Sequence, residues 1–295
     1  MRLISFRTSD GHDALGVVAG SSWIAASALL PGGPATMEAL LRGPSDALDA
    51  LRRAADPDRI ARDGEPLDGA PLLAPVPRPG KVVAIGRNYK DHAAESGSEP
   101  PASPLIFSKW PSSVIGPGDD IRWDPALTTQ VDYEAELGVV IGRTARRVSE
   151  GDALSYVLGY TCVDDVSARD LQFGDGQWVR GKSLDTFCPM GPVVVTTDEI
   201  PDPQVLAIAC HVNGRTLQQA STADMYFGVA TIVSHCSQAF TLEPGDVIAT
   251  GTPAGVGVFR DPPVLLGDGD EVVVEIEGIG RLVNTCRFDR AAAPS

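Results

Sequence analysis

The sequence predicts an α+β protein that is mostly β, a mixed β-sandwich or roll preceded by a small N-terminal α/β accessory domain. Three observations carry that expectation. From Val82 onward, short β-rich segments recur between glycines and prolines: VVAIG, ELGVVIG, LGYTCV, GPVVVTT, LAIACHVNG, GDVIAT and DEVVVEIEGIGRLVN. In that region residues 152–156 and 226–240 are plausible helices, and helices are too few for alternating βαβ units. Ahead of it, Pro71, Pro75, Pro77 and Pro79 crowd the segment PLLAPVPRPGK, a density that disfavours helix and central strand.

The boundaries follow in order. In residues 1–70, MRLISF and ALGVVAG read as strands, and residues 36–55, rich in alanine and leucine, have helical spacing. Residues 71–80 are a linker or an extended crossing, residues 81–290 the main domain, and residues 291–295 (AAAPS) a frayed tail.

Composition narrows the function. The chain has 295 residues, of which 43% are hydrophobic and 21% charged, ordinary values for a globular protein. A net charge of −15 argues against nucleic acid or an anionic membrane as a partner. It also means that any anionic substrate needs local cations in its site. The five cysteines (Cys162, Cys188, Cys210, Cys236, Cys286) form no C-x-x-C pair, so neither a disulfide framework nor a thiolate zinc site is expected. MRLISFRTSDG has no apolar leader pattern, which gives a cytoplasmic location as the default expectation.

The segment VDYEAEL alternates Asp132, Glu134 and Glu136 with Tyr133, Ala135 and Leu137. On a strand, residues two apart share a face at about 6.5–7 Å, where ionised carboxylates repel. A solvated strand face is one reading. The other is a divalent cation that turns repulsion into the reason for the arrangement, and hard oxygen ligands suit Mg²⁺, Mn²⁺ or Ca²⁺. A third ligand is best sought in GYTCVDDVSARDLQ, where Asp164 and Asp165 end an apolar strand. Asp165, Arg169 and Gln172 then fall at i, i+4 and i+7. Asp164 reads equally as a helix cap, and Arg169 as an ion-pair partner of one of these acids.

Three other motifs bear on chemistry. Gly176 to Ser183 satisfies the phosphate-loop pattern G-x-x-x-x-G-K-S, but polar ARDLQFGD precedes it, and Pro189 and Gly191 follow. That flank supplies neither the buried strand nor the long helix such a loop needs. In GRNYKDHAAESG, His92 and Glu95 are neighbours if KDHAAE is helical, either a carboxylate-oriented general-base arrangement or an ordinary surface-helix pair. GDVIATGTPAGVG is a strand entering a glycine-rich loop, which permits a tight turn or close approach to a ligand.

The segments VDYEAELGVVIGR, GYTCVDDVSARDLQ, GQWVRGKSLDTFCPMGP and LEPGDVIATGTPAGVG, in that order, resemble the fumarylacetoacetate hydrolase family over residues 79–284. The resemblance implies a mixed β-sandwich roll, a homodimer, and one Mg²⁺ or Mn²⁺ per site. It implies Glu134, Glu136 and Asp165 as metal ligands and His92, Glu95 and Lys182 as catalytic residues. Arg169, Gln172 and Thr252 are implied as substrate-binding residues. Ile85 stands where fumarylacetoacetate-cleaving members carry a further metal-binding Asp, and Glu95 is a local partner for the histidine where theirs lies far downstream. Both departures point to the acylpyruvase, decarboxylase and isomerase branch.

The expected activity is metal-dependent hydrolysis of a C–C bond in a small 2-oxo or 2,4-dioxo acid, with the ion stabilising an enolate. The alternatives on the same scaffold are an oxaloacetate decarboxylase or tautomerase and a 2-hydroxyhepta-2,4-dienedioate isomerase. A catalytically silent ligand-binding protein is the reading from another class.

Overall fold

The computed structural model describes residues 1–289 except Ser96, Ser98 and Pro100; the predicted tail, 291–295, lies outside the described residues. The N-terminal stretch contributes β1 (Arg2–Arg7), β2 (Asp13–Ala19), β3 (Ser22–Ala25) and the helices α1 (Met37–Arg42), α2 (Ala47–Ala54) and α3 (Pro57–Asp63). The single helix expected over residues 36–55 is therefore two. Gly43-Pro44 divides it, because proline has no N–H to donate and its ring clashes with the preceding turn. Thr36 caps α1 by accepting a hydrogen bond from the Ala39 N–H.

The main region continues with β4 (Val82–Gly86), α4 (Lys90–Glu95), β5 (Leu105–Lys109), β6 (Asp120–Trp123), β7 (Ala135–Ile141) and β8 (Val157–Asp164). Two short helices follow, α5 (Arg169–Asp175) and α6 (Val179–Lys182), then β9 (Cys188–Thr196), β10 (Ala207–Val212) and β11 (Arg215–Ser221). The chain ends with α7 (Val229–Ala239), β12 (Val247–Ala249), β13 (Glu271–Ile276) and β14 (Gly280–Phe288).

The long sheet runs β3-β2-β1-β9-β8-β7-β12-β4-β5, and a five-stranded sheet runs β11-β10-β13-β14-β6. The α+β, mostly-sheet class read from the sequence is the class observed. The N-terminal strands continue the long sheet, because β1 pairs antiparallel with β9 in the register Leu3↔Val194. Residues 72–73 of the proline-rich segment cross beside β1.

The second sheet packs on the middle of the first. From β7, Ala135, Leu137, Val139 and Ile141 join Ile208, Cys210, Val272, Val274 and Ile276 between the sheets. Val140, on the opposite face, joins Val82, Val163 and Val247 in a core closed by Leu3, Met37, Leu51 and Ile60. A strand covered on both faces must be apolar on both, which explains why alternation gives way to a continuous run after Glu136. Each fully buried aliphatic side chain there contributes roughly 1.5–3 kcal/mol.

VDYEAEL is not one strand. Residues 131–132 pair with 167–168, β7 begins at Ala135, and Tyr133 and Glu134 lie between. Side chains take over the missing ladder bonds: the Tyr133 N–H donates to Asp132 Oδ1 and the Glu134 N–H to Asp164 Oδ1. This break falls where the start of β7 meets the ends of β8, β12 and β4.

Leu3→Ala is expected to cost about 2–5 kcal/mol of stability, the usual range for emptying a buried leucine site. It should retain one unfolding transition, because β1 belongs to the long sheet. Denaturation followed at Trp23 and Trp123 checks this, and two separate transitions would show that the N-terminal stretch unfolds independently.

Candidate active site

At the break, Glu134 and Glu136 flank the start of β7, and Asp165 follows directly on β8. The Asp165 N–H donates to the Glu134 carbonyl at 3.0 Å, which fixes the two segments side by side. One carboxylate oxygen from each of Glu134, Glu136 and Asp165 lies within 4.8 Å of the others, and all three residues are buried.

Three cations are folded into the same space. Lys182 Nζ donates to Glu134 Oε2 and Asp165 Oδ2, each at 2.8 Å. Lys109 Nζ donates to Asp165 Oδ1 at 2.6 Å and to the carbonyls of Val166 and Lys182. Arg169 pairs with Glu134 Oε1 at 2.7 Å through Nη1 and with Asp132 Oδ2 through Nε and Nη2, while Nη1 also donates to Gln172 Oε1. Among the described residues, Glu136 receives only the Gly251 N–H, at 2.8 Å. Gly251 makes that bond at φ +98°, a conformation that suits glycine, and a Cβ there would meet Asn88 Cβ at 2.7 Å.

The charges do not balance. Asp132, Glu134, Glu136 and Asp165 face Lys109, Arg169 and Lys182, four acids against three cations. Burial raises the Glu134 carboxyl, but Lys182 and Arg169 outweigh it and hold the group down at about 2. Glu136 goes the other way, pushed well above the carboxylate range by burial and then by Asp165 and Glu134. Burial also lifts Asp164, to about 7. Lys182 stays protonated, because Asp165 and Glu134 overcome the burial that would lower it.

A buried oxygen-only set with one uncompensated carboxylate fits a hard divalent cation and is wrong for zinc. Glu134, Glu136 and Asp165 are the residues that could hold it.

Opposite the acids, α4 carries His92, whose Nδ1 lies 2.8 Å from Glu95 Oε1. Glu95 also accepts from the Gly255 N–H, which ties α4 to the glycine-rich loop. Thr252 Oγ1, buried in that loop, accepts from Gln218 Nε2 at 2.7 Å, and Gln218 Oε1 accepts from the Ala135 N–H.

A cavity of about 60 Å³ joins His92, Glu134, Glu136, Arg169, Gln172, Lys182 and Thr252, walled by Ile85, Phe107, Phe173, Trp178 and Phe259. Glu95 and Asp165 stand directly behind this lining. A larger cavity of about 470 Å³ lies elsewhere, between β2, α1 and the proline-rich segment, and contains none of these groups.

The other expectations sort themselves by contact. Asp132 is fully buried and accepts from Arg169 and from the N–H groups of Gly257 and Val258, so it organises the loop. Two further cations stay outside the cavity: Lys109 is buried behind Asp165, and exposed Arg180 pairs with Asp175. The phosphate-loop pattern is a one-turn helix packed so closely that a Cβ on Gly181 would meet Gln172 N at 2.6 Å. Gln218, Asn88, Arg87 and Trp178 were not singled out by sequence, because each sits in an ordinary polar or aromatic context.

Fold and site together define a mixed-β protein with a hard-cation cluster beside an oriented imidazole. The chain belongs to the fumarylacetoacetate hydrolase family, whose domain described as "Fumarylacetoacetate (FAA) hydrolase C-terminal" matches residues 81–287. Among curated relatives, "Oxaloacetate tautomerase Fahd2a, mitochondrial" of Rattus norvegicus is 43% identical, covering 96% of this chain and 91% of that protein. A solved fumarylacetoacetate hydrolase from Exiguobacterium antarcticum is 40% identical with a TM-score of 0.83, covering 98% of this chain and 100% of that one. A 2-hydroxyhepta-2,4-diene-1,7-dioate isomerase from Mycobacterium marinum is 37% identical with a TM-score of 0.75, covering 98% and 99%.

The family resemblance read from the motifs is thus borne out. The cytoplasmic expectation is corrected: the tautomerase relative carries a mitochondrial name, which points away from the cytoplasm.

Glu136→Gln removes the carboxyl group that has no cation partner among the described residues, and with it one candidate metal ligand. The metal-free variant is expected to melt no lower than the parent. Mg²⁺ or Mn²⁺ at about 100 times the parent's Kd should stabilise the parent by about 2.7 kcal/mol and the variant hardly at all. Calorimetry with and without the ion checks both.

Proposed function

We propose that the protein is a keto–enol tautomerase of a small 2-oxo diacid, with oxaloacetate as substrate and Mg²⁺ or Mn²⁺ as the ion. The observation that carries this reading is the meeting of the acidic cluster and the His92–Glu95 pair in one aromatic-walled cavity. The tautomerase and isomerase names of the relatives support proton transfer more than hydrolysis.

The residues divide the work as follows. The Glu95 carboxylate can only accept, so neutral His92 carries its proton on Nδ1 and its lone pair on Nε2. Nε2 takes a proton from the carbon beside the 2-oxo group. Lys182, kept protonated by Glu134 and Asp165, is a fixed positive charge for the oxygen on which negative charge develops. A divalent ion bound by Glu134, Glu136 and Asp165 supplies Lewis-acid stabilisation of that same charge. His92 returns the proton to carbon for the keto form, and delivery to oxygen gives the enol. Phe107, Trp178 and Phe259 limit water at the reacting carbons, which favours proton return over addition to a carbonyl.

Hydrolysis of a 2,4-dioxo acid is the second reading, favoured by the hydrolase name of the Exiguobacterium neighbour. It requires a water placed on the distal carbonyl in addition to the same enolate.

Enol absorbance in a weakly catalytic buffer separates the two. With Mg²⁺ present, the protein is expected to speed oxaloacetate interconversion and to release no pyruvate from acetylpyruvate above background. His92→Ala should lower kcat for interconversion by about 10²–10⁴-fold while the melting temperature holds. Pyruvate release from acetylpyruvate faster than oxaloacetate interconversion would replace the tautomerase reading with the hydrolase one.

A further inference from the structure

We infer that Arg87 is the specificity-determining residue of the site, binding the second carboxylate of a diacid substrate. The inference rests on the reading above for the reacting end of the substrate. It follows from what the other cations in the cavity are already doing. Each nitrogen-bearing group of Arg169 has a protein partner among Asp132, Glu134 and Gln172, and Lys182 lies between Glu134 and Asp165. His92 is paired with Glu95. Of the cationic side chains that line the cavity, Arg87 alone has no carboxylate partner among the described residues.

Arg87 is exposed at the rim and is nonetheless held in place. Its backbone adopts φ +56°, a region that side-chain-bearing residues rarely enter. The chain is fixed there from both sides. Gly86 ends β4 against the Trp178 ring, which a Cβ would meet at 2.5 Å. Asn88 is buried and donates to the carbonyls of Phe227 and Thr250 while accepting from the Phe227 N–H.

The Arg87 guanidinium carbon lies 5.6 Å from the Trp178 ring centroid, and that ring is braced edge-on by Phe107 at 5.3 Å. An indole covers one face of a guanidinium and leaves its in-plane N–H fork free, the geometry that receives a carboxylate bidentately. A chain of net charge −15 that admits a dianion needs such a cation at the entrance.

Two measurements on the 295-residue protein with Mg²⁺ test this. The first compares kcat/KM for oxaloacetate and its 4-methyl ester, which keeps the shape and removes the distal charge. Arg87→Gln is expected to lower the diacid-to-ester ratio by about tenfold or more, through KM for the diacid, with Arg87→Lys falling in between.

The second compares, by calorimetry, binding of malate and 2-hydroxybutanoate, a non-reacting diacid and monoacid. The parent should prefer malate about tenfold, and Arg87→Gln should erase the preference. A preference that survives the substitution, or is absent from the parent, overturns the inference. Loss of the preference in a protein that interconverts no oxaloacetate would uphold Arg87 and reject the tautomerase reading. Tautomerase activity with discrimination unchanged by Arg87→Gln would do the reverse.

Discussion

Four carboxylates and three cations are buried together at one end of the long sheet, and much of the surrounding chain serves to keep them there. Buried charge is tolerated only when paired and hydrogen-bonded, and removing one partner strands the other. The break in the strand at Tyr133 and Glu134 turns two backbone N–H groups toward Asp132 and Asp164 and sets Glu134 beside Asp165. Lys109 arrives from β5 and Lys182 from α6, while Gly251 adopts a left-handed turn to present its N–H to Glu136. Among the described residues none pairs a cation with Glu136, and a divalent ion could complete that arrangement.

The proton-handling half is joined to the same frame. Glu95 pairs with His92 and also accepts from the Gly255 N–H, which ties the imidazole to the glycine-rich loop. Gln218, on the second sheet, contacts both Thr252 in that loop and Ala135 at the start of β7. The sandwich therefore has a direct function: its second layer holds the two sides of the cavity in register. Fixed dipoles and charges of this kind stabilise developing charge without having to reorganise during the reaction.

Much of this was legible in the sequence because the relevant signals are local. Glu134 and Glu136 stand two apart before an apolar run, and His92 and Glu95 stand three apart within one helical turn. Asp165 and Lys182 emerged only when several motifs were taken in order. The rest depends on tertiary partners that spacing does not encode. Alternation in VDYEAEL suggested one strand, but side-chain carboxylates competed for its backbone N–H groups. Arg169 read as an ion-pair partner of one of the nearby acids, but spacing did not show that Asp132, Glu134 and Gln172 would occupy it together. Strand β5 lacked a clean apolar alternation, and the helix over residues 36–55 concealed its break at Gly43-Pro44. Hydrolysis and tautomerisation differ in whether the base takes its proton from water or from carbon, yet both draw on the same imidazole, cations and acidic cluster, so no list of site residues separates them.

The most direct test of a proton-transfer site is proton NMR of oxaloacetate in D₂O with the protein and Mg²⁺. The expected result is exchange of the carbon-3 hydrogens for deuterium well above the buffer rate, with no pyruvate formed beyond the spontaneous amount. Exchange at the buffer rate, or accelerated pyruvate formation in its place, would contradict the assignment of His92 and the acidic cluster to keto–enol chemistry.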